Sequence, residues 1–227
     1  WNKSPFSFIT TKDGSQSLYH LDYLESYHSH FGAIKESDYI YIQQGLEFYF
    51  QTNRPTDITV FEMGFGTGLN ALLTLLWANA RRIPVHYISV DLHPLEKTIF
   101  EQLNYGKALG DDYEQLFQQL HSCCWEKKQV ISPFFTLIKH QVDYQAFQHP
   151  NSPYDVVYFD AFSPNHHPEL WTKALFLRLF KAMKPKGIVV TYCTKGIIKR
   201  RVRDCGFDLR KCKGPPGGKR EMVRLTV

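Results

Sequence analysis

Apolar and polar positions along the chain fall into two regimes. From about residue 57 onward, short runs rich in β-branched and aromatic residues recur: "ITVFEM" (58–63), "VHYISV" (85–90), "FFTLIK" (134–139), "DVVYF" (155–159) and "GIVVTY" (187–192). Between them lie longer stretches, 68–80, 94–106, 111–122 and 168–183, whose apolar residues repeat at helical spacing. This alternation predicts βαβ units, hence a doubly wound α/β fold with a mostly parallel sheet covered on both faces. The end of the chain departs from it. "TKGIIKRRVRDCG" predicts a helix, and "FDLRKCKG" and "KREMVRLTV" predict two strands around "PPGG", which a short turn obliges to pair as an antiparallel edge hairpin. Before residue 57 the pattern is mixed, with a hairpin turn expected at Asp13–Gly14 and a short helix at about 43–52. The expected organisation is an extension, 1–56, packed on a main domain, 57–227.

Composition narrows the class. At 227 residues with 43% hydrophobic and 22% charged side chains, the chain can bury one sizeable core. It has no uninterrupted apolar run of the roughly 18 residues a membrane helix needs, and its start lacks the layout of a signal peptide, so a cytoplasmic protein is expected. The five cysteines form no C-x-x-C pair, which predicts reduced thiols. Charge is uneven: from Lys181 to the end fourteen Lys or Arg face three acids, a local net of +11, while the remainder is −6. That segment is either a solvated face or a footprint for a polyanion such as nucleic acid.

The candidate chemistry sits at strand ends. "VFEMGFGTGLN" leaves the first core strand and opens a helix with Gly64, Gly66 and Gly68 at alternate positions. Such glycines let backbone turn sharply and approach a ligand held at a helix N-terminus. A dinucleotide site would want a glycine where Leu69 stands. Asp91 closes the second strand, where a carboxylate can accept both hydroxyls of a ribose. Asp143 follows the third, either as a contact to a base or as a helix N-cap. Asp160, in "YFDAFSPNHHPELW", follows the fourth, at the edge where open α/β sheets bind ligands. His166 and His167 lack a third ligand at metal-binding spacing, so no metal is expected.

G-x-G-x-G preceded by Glu62 resembles the first motif of S-adenosylmethionine-dependent methyltransferases, in which the acid and the glycines cradle the amino-acid part of the cofactor. In order, "GFGTGLN", "DAFSPNHHPELWT", "TYCTKGIIKR" and "GPPGGKREM" resemble the methyltransferase domain of the MnmC family, from about residue 40 to the end. The resemblance implies methyl transfer from S-adenosyl-L-methionine to the primary amine of 5-aminomethyl(-2-thio)uridine at the tRNA wobble position. It implies no flavin here, and a functional link to a separate enzyme that makes the aminomethyl group. Glu62, Gly64, Gly66, Gly68, Asp91 and Asp143 are then the cofactor residues, and Asp160 the catalytic one. A carboxylate raises the pKa of a nearby ammonium, so Asp160 is cast as an acceptor that aims the amine, not as a strong base. Phe162 is either a stacking surface for the base or core filler. Lys195, Lys199, Arg200 and Arg201 on one helix, with Lys219 and Arg220 beside "PPGG", are the candidate contacts to an anticodon stem-loop. Two other readings stay open: an aminopropyltransferase, which "YDVVYFDAFSP" also resembles, and a non-catalytic RNA-binding protein on the same scaffold.

Overall fold

The computed structural model describes residues 4–151 and 153–227. The chain opens with strands β1 (Phe6–Thr10), β2 (Gln16–His20) and β3 (Glu25–Ser26), which form a small antiparallel sheet turning at Asp13 and Gly14. Helix α1 (Ala33–Ser37) then runs into a π-helical stretch (Asp38–Glu47) and α2 (Phe48–Asn53). The short helix expected at 43–52 is therefore the end of a longer one. A wound-out π turn breaks the 3.6-residue apolar spacing on which the sequence reading depends. Gly45 lets this helix lie against the sheet, because a Cβ there would stand 3.0 Å from Val190 Cγ2.

The core follows in the predicted order: β4 (Ile58–Met63), α3 (Leu69–Arg81), β5 (Val85–Asp91), α4 (Lys97–Phe100), α5 (Tyr105–Leu109), α6 (Glu114–Ser122), β6 (Gln129–Ser132), β7 (Phe135–Gln141), β8 (Tyr154–Phe159), α7 (Lys173–Lys181), β9 (Met183–Thr191), α8 (Gly196–Asp204), β10 (Asp208–Lys213) and β11 (Glu221–Thr226). The sheet runs β10-β11-β9-β8-β4-β5-β7-β6. Pairs among β9, β8, β4, β5 and β7 are parallel, and β11 and β10 close one edge as the expected antiparallel hairpin. All six residues of β8 are buried, as a central parallel strand covered on both faces requires.

The helix expected over 94–106 is two pieces. Asn104 interrupts it, donating from Nδ2 to the Gly14 carbonyl and accepting the Gln16 N–H at Oδ1, so its side chain staples the break to the N-terminal hairpin. The stretch 168–183 likewise divides into a 3-10 turn, Pro168–Trp171, and α7, whose N-cap Thr172 accepts from Leu175 N–H. Strand β6 was not expected; it pairs antiparallel with β7 through a bulge.

Alternation of side chains divides the core. Val60, Tyr87, Tyr158 and Val190 face α3 and the π-helical stretch, with Ile40, Leu46 and Tyr49 in the same apolar cluster. Phe61, Val157, Phe159 and Val189 face α7 and α8. The segment before residue 57 thus shares one core face with the sheet, and its strands and helices roof the ends of β4, β5 and β8.

Candidate functional site

A cavity of about 450 Å³ opens where β4, β5 and β8 end, within the roughly 300–1,000 Å³ of small-molecule sites. β4 and β8 are neighbours although remote in sequence, which is the crossover point at which doubly wound sheets bind ligands. Of the expected residues, Gly64, Gly66, Asp91, Asp143, Asp160, Phe162 and Lys219 line it.

The glycine loop has the geometry its sequence predicts. Gly64, Gly66 and Gly68 have φ of 90°, 50° and 72°, in the left-handed region that disfavours side chains. A Cβ on Gly66 would stand 3.3 Å from the Tyr27 ring, and one on Gly68 would stand 2.7 Å from His121 Nε2. Gly68 therefore serves packing behind the wall, at the N-cap of α3, and is not itself a lining residue.

Asp91 accepts from Gly66 N–H at Oδ2 and from His93 N–H at Oδ1, both at 2.8 Å. Burial raises its pKa, and these two donors oppose the rise. One acceptor position remains on each oxygen, so a ribose diol can still be held. Asp143 caps no helix: Oδ1 accepts Gln145 N–H at 2.8 Å in a local turn, and the residue borders the cavity.

Glu62 is corrected. Its side chain is fully buried, points to the α3 face with its strand neighbours Val60 and Tyr158, and is not part of the cavity wall. Oε2 accepts from Ser89 Oγ at 2.9 Å on the adjacent strand, while Oε1 has no partner. Burial foremost, and the charge of Asp160 next, push its pKa well above the usual range, so it is a buried acid beneath the site whose neutral form is favoured.

Asp160 is held by two groups the sequence reading missed. Tyr41 OH donates to Oδ1 at 2.5 Å, and Asn70 Nδ2 donates to Oδ2 at 2.8 Å. Burial pushes the carboxyl up to about 7; the two hydrogen bonds and Lys219 pull the other way. Asn70 stands in the glycine motif itself, in the first turn of α3, where its side chain can reach back to a strand end. Tyr41 carries no sequence signal, since its placement depends on the π-helical stretch crossing the sheet.

Phe162 faces Tyr27 and Tyr23 edge-on, at 5.0 and 5.4 Å between ring centroids, and borders the cavity. It is both packed and accessible to a ligand. Tyr192 OH donates to the Ala161 carbonyl at 2.8 Å, fixing the turn after Asp160. Glu25 accepts Ser163 N–H, tying β3 to the same turn.

The basic residues separate into four groups. Arg200 and Arg220 are exposed, and Lys199 is half-buried on α8. Arg201, about 200° around the helix from Lys199, turns inward and donates from Nη1 to the Trp171 carbonyl at 2.8 Å. It is corrected from a surface contact to a structural one. Lys195 reaches Asn165 Oδ1. Lys219 is exposed and borders the cavity, with Nζ 3.9 Å from the centre of the Tyr192 ring. His167 pairs with Glu169 at 2.9 Å, and among the described residues no group of three or more His, Cys, Asp or Glu is placed to hold a metal ion. No helix among the described residues is long and apolar enough to cross a membrane.

The comparisons with known proteins agree with this geometry. A family model described as S-adenosyl-L-methionine-dependent methyltransferase matches residues 108–226. The chain is 30% identical to a Pseudoalteromonas atlantica protein named tRNA 5-methylaminomethyl-2-thiouridine biosynthesis bifunctional protein MnmC, over 93% of this chain and 32% of that protein. A Campylobacter fetus protein of the same name is 28% identical over 84% of this chain and 34% of its own length. The chain spans about a third of the length of the curated relatives it matches. Among solved structures, MNMC2 from Aquifex aeolicus superposes with a TM-score of 0.77, covering 99% of this chain and 71% of that one at 24% identity. Spermidine synthase from Thermotoga maritima superposes with a TM-score of 0.53, covering 97% and 68% at 11% identity. At these identities both likenesses show the fold.

Proposed function

The chain belongs to the S-adenosyl-L-methionine-dependent methyltransferase family, and from that premise we propose that it methylates the primary amine of 5-aminomethyl(-2-thio)uridine at the wobble position of tRNA. The observation that carries the acceptor class is the charge of the cavity. Among the described residues its wall holds six carboxylates, Glu25, Glu36, Asp91, Asp143, Asp160 and Glu169, against one Lys or Arg, Lys219. A chain of net charge +5 that keeps its acids here favours cationic and amine ligands over phosphate or carboxylate ones.

The residues fit the cofactor. Gly64 and Gly66 bring backbone close to the cavity at the N-terminus of α3, Asp91 keeps a free acceptor position on each oxygen, and Val90, Leu92, Val142 and Tyr144 offer apolar surface beside Asp143 for a flat base. When bound, S-adenosyl-L-methionine supplies an electrophilic methyl group on a sulfonium. Everything else is positioning by the chain. Asp160 is pinned on both oxygens, so its remaining lone pairs point in fixed directions and orient the amine by hydrogen bonding. Phe162 offers its ring to an extruded base, and the half-buried Lys199 with the exposed Arg200 and Arg220 offers contacts to phosphates.

The amine acceptor accords with the relatives' names, which cite 5-methylaminomethyl-2-thiouridine biosynthesis in tRNA. Incubation with methyl-labelled S-adenosyl-L-methionine and tRNA from cells lacking the final methylation tests it. Label is expected in the RNA, and an unlabelled RNA pool contradicts the proposal.

A further inference from the structure

Lys219 stands apart from the other basic residues of its segment. Its side chain is exposed yet borders an otherwise acidic cavity, and the loop that carries it is fixed. Gly214 N–H donates to the Arg220 carbonyl at 2.9 Å, and a Cβ on Gly214 would fall 1.8 Å from the Lys219 carbonyl oxygen. Tyr39 OH donates to the Lys213 carbonyl at 3.1 Å, tying the same hairpin to the π-helical stretch that carries Tyr41. The glycines and the lysine of "GPPGGK" thus form one device: the close approach at Gly214 seats the backbone that delivers the ammonium over the face of Tyr192.

The groups that share the cavity with that ammonium or feel its charge come from several elements. Glu36 stands on α1, Tyr41 on the π-helical stretch, Asp160 after β8, Tyr192 and Cys193 after β9, and Glu25 on β3. The field of Lys219 favours the ionised forms of Glu36, Asp160 and Cys193. Glu36 acts the other way on Asp160, raising its pKa.

Amine methylation has a charge problem that these placements answer. An alkylamine is mostly protonated at neutral pH, and the carboxylates lining the cavity favour that unreactive form. A nearby ammonium acts in the opposite direction: it disfavours a second cation and favours a carboxylate. We infer that Lys219 sets the protonation state of the reaction centre, holding the acceptor amine neutral and Asp160 ionised, and that its presence in the cavity serves catalysis and not phosphate binding. The inference rests on the amine acceptor proposed above.

In that reaction the nitrogen lone pair forms the N–C bond as the methyl carbon–sulfur bond breaks, and the bonding pair stays on sulfur and cancels its charge. The nitrogen becomes a secondary ammonium and passes one proton to the Asp160 carboxylate, which releases it to solvent. Lys219 eases loss of the proton from nitrogen and its onward release from Asp160, without exchanging a proton itself.

The test is the pH profile of kcat at saturating S-adenosyl-L-methionine and unmethylated tRNA, for the wild type, Lys219→Met and Lys219→Arg, with folding followed by circular dichroism. Lys219→Met is expected to move the acidic limb upward by about one unit, so that the rate at pH 6 falls roughly tenfold and recovers at high pH. Lys219→Arg, which keeps the charge, is expected to restore the wild-type limb. An unmoved limb accompanied by a raised KM for tRNA makes Lys219 a phosphate contact and overturns the inference. A wild type inactive on this tRNA refutes the acceptor instead, and is seen before any variant is compared.

Discussion

The hydroxyl of Tyr41 donates to Oδ1 of Asp160 at 2.5 Å, joining a π-helical stretch near the N-terminus to the end of a core strand 119 residues later. This contact orients the carboxylate and opposes the effect of burial on its pKa. Removing it separates orientation from packing, because the Tyr41 ring can be kept. Tyr41→Phe is expected to raise the Asp160 pKa above about 7 and to lower the rate at neutral pH, with partial recovery in alkali. The fold loses about 0.5–1.5 kcal/mol, the net worth of one hydrogen bond. A pH–rate profile together with a denaturant titration measures both.

Asp160 itself governs two pH dependences of opposite sign. Catalysis needs the carboxylate, so the rate is expected to rise with pH through about 7. Stability behaves the other way. Its folded pKa of about 7 lies above the ordinary value of 3.8, so between these values the folded chain holds a proton that the unfolded chain releases. That contribution to stability is complete below the ordinary value and is lost as pH rises through the folded one. Asp160→Asn is expected to abolish turnover, retain cofactor binding by calorimetry, and flatten this part of the stability curve. An Asn variant near wild-type activity would reduce Asp160 to a turn former.

Gly66 sits at φ 50° with the Tyr27 ring 3.3 Å from where a Cβ would stand. Gly66→Ala is expected to cost about 1–2 kcal/mol of stability through the left-handed backbone. It also places a methyl group at the wall that the cofactor approaches, so affinity for S-adenosyl-L-methionine should fall at least about tenfold, roughly 1.4 kcal/mol. Thermal unfolding and calorimetry read the two effects separately.

The basic surface is tested by contrasting residues on one helix. Lys199→Glu with Arg200→Glu is expected to weaken tRNA binding and to reduce the slope of log affinity against log salt by about two, one per phosphate contact. Arg201→Ala should leave that slope unchanged and lower the melting temperature, because its guanidinium is committed to the Trp171 carbonyl. Filter binding across a salt series distinguishes the two sets.

The parts legible in the sequence were those encoded locally. β4, β5, β7, β8 and β9 are runs of residues that suit a sheet buried on both faces, and the glycine loop declares itself because only glycine tolerates its φ values. Asp91, Asp143 and Asp160 follow strand ends, so their place at the crevice comes directly from the topology. What stayed hidden depends on contacts between remote segments. Tyr41 and Glu36 reach the cavity because a helix with irregular spacing crosses the sheet, and Lys219 reaches it because Gly214 allows a close backbone approach. Glu62 shows the converse. Its position beside the glycines suggested a ligand contact, but the alternation of side chains along β4 turns it to the buried face with Val60.

The most direct measurement is mass spectrometry of nucleosides from unmethylated tRNA incubated with this protein and methyl-labelled S-adenosyl-L-methionine, with the Asp160→Ala variant in parallel. The predicted result is conversion of the 5-aminomethyl nucleoside to its labelled 5-methylaminomethyl form by the wild type and none by the variant. Label in any other nucleoside, or conversion by the variant at the wild-type rate, contradicts the assignment of an amine-methylating site built on Asp160.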